Sequence, residues 1–335
     1  MNCSQLTFGE MVYDNEWDVW DDYVVYKDES TRIKVVNAQN RTELVIPNIH
    51  PDLEYGTSEH MLGFFPAVYQ DKVAYTIAVF YGGVPRTEIV NVELSSQQQE
   101  VISYVLYPEF AAKWVDYYGD VIVSAGGCGA TDSQELCLYR TAEIDCGVEP
   151  IVNGAYGSYN SVWEDTIVWY SSGEYNIHGY RISEASQFEV TEDTEIQMKP
   201  KVHGDHVVYM DLRHGDSDGF GDWNHAAVYL YGISTKETKQ IAGGEWIASY
   251  PDIWGNTVVW MDYRNCTDPN NKNDMNNVEI WGYDITTEQQ FQLTNLPGRR
   301  KAFPKIWENY LYFLMFHLED SGTSIYRIEI ESKKN

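Results

Sequence analysis

Positive charge is scarce in this sequence. Its 335 residues hold 23 Lys and Arg against 51 Asp and Glu, a formal charge of −28. So acidic a surface repels phosphate backbones and anionic headgroups, which sets nucleic acid and membranes aside as partners. It would attract divalent cations or basic proteins, or keep the chain soluble in salty surroundings. No run of about 18 apolar residues occurs, so no segment is expected to span a bilayer. The opening MNCSQLTFGE lacks the charged and apolar regions of a signal peptide. The expectation is either a cytoplasmic chain or a mature exported one, and Cys3 would suit a trimmed lipoprotein anchor. Leu- or Ala-rich helical stretches are missing as well. Tyr (26) and Trp (11) are abundant instead, a composition of strands rather than helices.

Catalytic signatures are also missing. No His-Glu-x-x-His or paired-His spacing points to zinc, and no Gly-x-Ser-x-Gly marks a nucleophile elbow. The eight histidines are scattered, and His50, His60, His214, His225 and His317 fall where one end of the fold could gather them.

What the chain does contain is one phrase said seven times. PDIWGNTVVWMD (251–262) recurs as WDVWDDYVVYKD (17–28), PAVYQDKVAYTI (66–77), VDYYGDVIVSA (115–125), NSVWEDTIVWYS (160–171), PKVHGDHVVYMD (200–211) and PKIWENYLYFLM (304–315). Each copy runs from a β-branched or aromatic strand through a two-residue turn into a second strand. The second turn residue is Asp22, Asp71, Asp120, Asp165, Asp205, Asn256 and Asn309, at steps of 49, 49, 45, 40, 51 and 53 residues. A repeat of that period is a single array of structural units.

Each repeat continues with two more short strands, so the plan is a, b, c, d. Strand c reads IKVVNA, TEIVNV, LCLYR, IHGYRIS, VYLYGIST, EIWGYDIT and IYRIEIES. Strand d reads TELVI, QQEVIS, EIDCGV, QFEVT, KQIA and FQLT, one fewer. The missing strand stands at the N-terminus, where SQLT (4–7) matches FQLT (291–294). The expected fold is an all-β, seven-bladed β-propeller of four-stranded antiparallel blades, its ring closed by the N-terminal strand completing the last blade. The blades fall near 16–46, 65–103, 107–149, 158–191, 199–242, 250–294 and 303–331 plus 4–8, one domain over 1–335.

The repeat resembles that of TolB-like seven-bladed propellers over essentially the whole chain. The usual Ser-Pro-Asp-Gly turn of that family is reduced here to Gly-Asn, Gly-Asp or Glu-Asp. The resemblance implies the architecture. For function it spans periplasmic binding proteins, peptidase propellers and polysaccharide lyases such as oligogalacturonate lyase.

The a–b and c–d turns should lie on one face and the b–c and d–a loops on the other. The a–b turns are uniformly tight, whereas the loops 211–226, 262–277, 48–64 and 295–303 are long. Sites on rigid scaffolds favour such loops, so the b–c/d–a face is the expected site face. On it, Asp211-x-Arg213 and Asp262-x-Arg264 occupy corresponding positions, and alternation points each Asp and Arg the same way. A structural ion pair is the first reading of both, and recognition of an acidic ligand the second. Arg299 and Arg300 add cations there, and His214 and Trp223 complete the ligand-binding candidates. Asp216, Asp218 and Asp222, spaced by Gly219 and Gly221, suit Ca²⁺, which takes closely spaced hard oxygens around a Gly-permitted bend.

The residue just before each a–b turn is Trp20, Tyr69, Tyr118, Trp163, His203, Trp254 and Trp307, following a β-branched residue in every copy but the third. These rings are expected to wedge between neighbouring blades, with an aromatic-lined ligand channel as the alternative. Among five cysteines, a hairpin turning at Thr141-Ala142 would oppose Cys137 and Cys146, with Cys128 competing for Cys137. The functional expectation is a non-catalytic periplasmic or secreted propeller that binds a protein or a glycan, with Ca²⁺ ordering the 211–226 loop. The alternative is a uronate-polymer lyase using Arg, His and Tyr of the same face.

Overall fold

A computed structural model of the chain describes residues 3–7, 12, 16–30, 32–46, 62–81, 84–106, 115–125, 136–141, 148–152, 157–214, 223–317 and 322–330. Every regular element among them is a β-strand, and no helix is long and apolar enough to cross a membrane. The strands form seven four-stranded antiparallel sheets, and the fold is a seven-bladed β-propeller.

After β1 (Cys3–Gln5), the first blade holds β2 (Trp17–Trp20), β3 (Tyr23–Lys27), β4 (Ile33–Asn37) and β5 (Glu43–Val45). The second holds β6 (Leu62–Tyr69), β7 (Lys72–Tyr81), β8 (Val84–Glu93) and β9 (Gln99–Leu106). The third holds β10 (Val115–Tyr118), β11 (Val121–Ala125), β12 (Leu136–Arg140) and β13 (Val148–Val152). The fourth holds β14 (Gly157–Trp163), β15 (Thr166–Ser171), β16 (Asn176–Arg181) and β17 (Ser186–Glu189). The fifth holds β18 (Gln197–His203), β19 (His206–Asp211), β20 (Ala227–Gly232) and β21 (Thr238–Gly243). The sixth holds β22 (Ala248–Trp254), β23 (Thr257–Asp262), β24 (Glu279–Asp284) and β25 (Gln289–Gln292). The last holds β26 (Lys301–Trp307), β27 (Tyr310–Phe316) and β28 (Thr323–Glu329), with β1 as its fourth strand.

The chain divides into two compact units. One comprises 12–164 with 171–173, and the other comprises 1–11, 165–170 and 174–335. Within each unit strand b is the most buried. Val24 and Val25 have no exposed surface, nor have Val258, Val259 and Trp260.

The Asp or Asn that marks each repeat has a backbone reason. Its carbonyl accepts the N–H of the residue just beyond strand c in every blade, as in Ala38 to Asp22 (2.6 Å), Ile233 to Asp205 (2.8 Å) and Ile330 to Asn309 (2.6 Å). The side chain then ties down the c–d turn. Asp165 Oδ1 accepts the Ser183 N–H at 2.7 Å, and Asp205 Oδ1 accepts that of Ser234 at 2.9 Å. The carbonyl and the short side-chain carboxylate of one residue thus take two successive N–H groups. The preceding turn residue has left-handed φ in all seven hairpins, from 48° at Glu164 to 66° at Gly119.

The N-terminal strand completes the last blade, pairing Cys3, Ser4 and Gln5 with Ile328, Arg327 and Tyr326. The match between SQLT and FQLT has a reason as well. Thr7 Oγ1 accepts the Ile325 N–H at 2.9 Å, and Thr294 Oγ1 accepts the Ile280 N–H at 2.8 Å. Each threonine satisfies strand c just where strand d ends.

Between blades, the bonding runs through aspartate. Asp18 Oδ2 accepts the Val68 N–H (3.1 Å), Asp116 Oδ2 that of Val162 (2.8 Å), and Asp252 Oδ2 that of Ile306 (2.8 Å). Strand a is an edge, so its outward N–H groups have no strand to pair with. A carboxylate from the preceding blade satisfies them.

The register of the third blade corrects one expectation. Cys137 lies opposite Pro150, not Cys146, and Tyr139 opposite Val148. Thr141-Ala142 has none of the Asn or Gly chemistry that a two-residue hairpin turn requires, and the connection is longer. Cys137 is disulfide-bonded, while Cys3 and Cys266 are free. Both candidate partners, Cys128 and Cys146, lie outside the described residues.

Candidate functional site

In the unit containing 174–335, the two Asp-x-Arg motifs close into matching structures. Asp211 and Asp262 end their strands b with no exposed surface. Arg213 folds back on Asp211 through its backbone N (2.8 Å), Nε (2.9 Å) and Nη2 (2.6 Å), and reaches Asp193 at 2.7 Å. The hydrogen bonds that Arg213 donates to Asp211 raise the guanidinium's pKa above its ordinary value, against the opposing effect of burial. The plane also lies 4.8 Å from the Tyr229 ring.

Arg264 repeats the arrangement on Asp262 at 3.0, 2.7 and 2.7 Å. Its guanidinium lies 3.7 Å from the Trp281 ring and 4.6 Å from that of Trp246. Asp262 Oδ2 also accepts the indole N–H groups of Trp260 (2.8 Å) and Trp246 (3.2 Å). A buried carboxylate needs this full set of donors, and Arg supplies two of them in a fixed fork. Both arginines are thereby occupied by their own aspartates.

The remaining sequence candidates separate. His214 Nε2 stands 3.3 Å from both the Tyr229 hydroxyl and Gln240 Oε1, beside the Arg213 cluster. Arg300 lies over Phe316 at 4.8 Å and donates to Met275 Sδ at 3.1 Å, and Arg299 is exposed. Trp223 meets a different group, its ring 5.3 Å from Tyr250. Asp216, Asp218 and Asp222 lie outside the described residues. Among the described residues no three His, Cys, Asp or Glu side chains gather as a metal centre.

The residues that Trp223 joins were not anticipated. Strand a carries a register shift at Met198/Lys201, Ser249/Asp252 and Ala302/Lys305. At each one a bulky residue takes left-handed φ: Lys199 (54°), Tyr250 (53°) and Phe303 (53°). In the other unit Phe65 (49°), beside the Phe64/Ala67 shift, and Tyr159 (51°) do the same. Such φ values are rare for side chains of this size and cost on the order of 1–3 kcal/mol each. A bulge re-aims its side chain. Here Tyr250 packs edge-on to Phe303 at 4.7 Å, and Lys199 Nζ lies 4.2 Å from the Tyr250 ring centre. Trp223, Tyr250 and Phe303 stay half-exposed, whereas Lys199 is buried.

A signal for them was present in the sequence. Lys199, Tyr250, Phe303 and Phe65 each precede a proline, Pro200, Pro251, Pro304 and Pro66. Proline cannot donate to a ladder, and inside a sheet it sits at bulges or edges.

Of the aromatic positions before the a–b turns, Trp20 packs against the core shared by the first two blades and Tyr69 against that of the second and third, as the wedge expectation has it. Trp20 of the first blade lies 4.2 Å from Tyr69, 5.6 Å from Tyr118 and 6.1 Å from Trp163, rings of the next three blades. The rings therefore also converge on one another across several blades. In the other unit His203 meets Trp254 at 4.6 Å, and Trp254 meets Trp307 at 3.8 Å.

No family model matches the sequence. No curated protein matches it either. Solved structures do resemble the fold. An oligogalacturonate lyase in complex with manganese aligns at a TM-score of 0.59 and 11% identity, over 98% of this chain and 93% of that one. The β-propeller domain of the Trilobed protease from Pyrococcus furiosus, described as having an open velcro topology, aligns at 0.62 and 12% over 98% of both. A computationally designed protein, Ika8, aligns at 0.52 and 11% over 96% of this chain and 98% of its own. At these identities the likeness is one of fold: the chain is built as a seven-bladed β-propeller.

Proposed function

We infer that this propeller is a non-catalytic binding protein whose ligand is a glycan held at the b–c/d–a end of strands a. The observation that carries the reading is the shelf of Trp223, Tyr250 and Phe303, the last two on strained backbone, with Lys199 against the Tyr250 ring. The strain at Tyr250 and Phe303 sets these half-exposed rings in fixed positions. Flat aromatic faces suit the C–H faces of sugar rings, and rigid rings lose little entropy on contact. Arg213 and Arg264, bonded to Asp211 and Asp262, serve in this reading to brace the loops around the shelf. Asp216, Asp218 and Asp222 are the proposed Ca²⁺ ligands of the same loop as Trp223, on the strength of their Gly-spaced carboxylates. A disulfide at Cys137 supports a periplasmic or secreted location, since such bonds persist in oxidising compartments.

Calorimetric titration with cellohexaose, maltohexaose and tetragalacturonate tests this. Binding of at least one, lost in Tyr250→Ala but kept in Arg264→Lys, is the expected result. Ultraviolet absorbance growing from an unsaturated sugar during incubation with tetragalacturonate would replace binding with lyase chemistry.

A further inference from the structure

The unit of residues 12–164 carries a second aromatic group at the other end of its strands a. Trp20, Tyr69, Tyr118 and Trp163 each end a strand a, and each is half-exposed. Beyond the contacts of Trp20, Tyr69 lies 5.0 Å from Tyr118, and Tyr118 lies 4.5 Å from Trp163. Interplanar angles run from 28° between Trp20 and Trp163 to 69° between Trp20 and Tyr118, so the four rings do not form one closed stack. A ring face is the negative pole of the aromatic quadrupole.

The turns that follow these rings add formal negative charge. Asp21, Asp22, Asp71, Asp120 and Glu164 lie one or two residues beyond them, against Lys72, the strand partner of Tyr69. The field reaches the rings. The Tyr118 hydroxyl is pushed up by burial first, then by Tyr69 and Glu164. The neighbouring Tyr117 is pushed up to about 12, chiefly by burial, with Asp120 and Asp71 contributing.

We propose that this four-ring group, rimmed by acidic turns, receives an arginine side chain from a basic protein segment. Arginine suits it better than lysine or a neutral sugar. Its guanidinium is planar, weakly hydrated and always charged, so it stacks on a ring face while its edges bond carboxylates. The chain contains its own example of that combination. Arg264 lies 3.7 Å from Trp281 and 4.6 Å from Trp246 while bonded to Asp262. The net charge of −28 adds long-range attraction for a basic partner.

The test uses the full chain and two fluorescent hexapeptides that differ only in arginine or its neutral isostere, citrulline. Fluorescence polarisation at low salt should show the arginine peptide binding roughly tenfold more tightly. The arginine peptide should bind Trp20→Ala roughly tenfold more weakly, and Tyr250→Ala unchanged. Should Trp20→Ala fail to fold, Asp21→Asn/Glu164→Gln leaves the rings in place and should weaken the arginine peptide roughly threefold. Equal affinity for the two peptides overturns the proposal. So does the absence of binding at millimolar arginine peptide, or a loss in Tyr250→Ala equal to that in Trp20→Ala.

Discussion

Asp252 Oδ2 accepts the backbone N–H of Ile306 at 2.8 Å, and so joins the edge strand of one blade to that of the next. The same bond joins Asp18 to Val68 and Asp116 to Val162. At each of these seams one carboxylate supplies the acceptor, beside the apolar packing between blades. Asp252→Ala leaves a part-buried amide without its acceptor and should cost about 1–3 kcal/mol. Urea unfolding would show a lower midpoint. Asp252→Asn keeps an acceptor oxygen and should lose less.

The strain at Tyr250 predicts an inversion of the usual ranking. Alanine keeps the Cβ that makes a φ of 53° unfavourable, whereas glycine does not. Tyr250→Gly should therefore be more stable than Tyr250→Ala by about 1 kcal/mol, although it removes more atoms. Thermal scans of the two variants decide it. A less stable glycine variant would mean that the backbone relaxes around alanine.

Arg264→Lys preserves charge and should still destabilise. Lysine cannot make the forked contact to Asp262 or stack between Trp246 and Trp281, and it leaves a buried carboxylate short of donors. The expected cost is about 2–4 kcal/mol, measured by chemical denaturation.

His203 gives a pH dependence. Its imidazole is pushed down to about 4, first by burial and then by His206, and its Nδ1 accepts the Gly255 N–H at 3.2 Å. The unfolded chain therefore takes up this proton near its ordinary value of about 6.5, and the folded chain only near 4. Stability from the neutral ring is complete above about pH 6.5 and is lost as pH falls toward 4. Its size, discounted for partial exposure, is on the order of 2 kcal/mol. His203→Trp, which installs the residue found at Trp254, should flatten the stability curve between those pH values.

Much of this molecule is legible without coordinates, because its devices are local. Asp211 and Arg213 pair, as do Asp262 and Arg264, because a carboxylate at the end of a strand accepts the backbone N–H two residues on and so turns the arginine back over itself. SQLT completes the last blade because it repeats the threonine with which FQLT satisfies strand c. The bulged residues were harder to see. Pro200, Pro251 and Pro304 mark the bulges, but a proline cannot say where Lys199, Tyr250 and Phe303 are turned.

The sequence by itself determined the seven blades, their strand order and the N-terminal strand that finishes the last sheet. Periodicity and turn chemistry act over a few residues, and repetition amplifies them. Only the tertiary structure decided that Trp20 meets Trp163 across 143 positions and that Tyr250 meets Trp223 and Phe303. It also set Cys137 opposite Pro150. Those relationships depend on where separate blades and loop lengths bring side chains, and no local pattern encodes that.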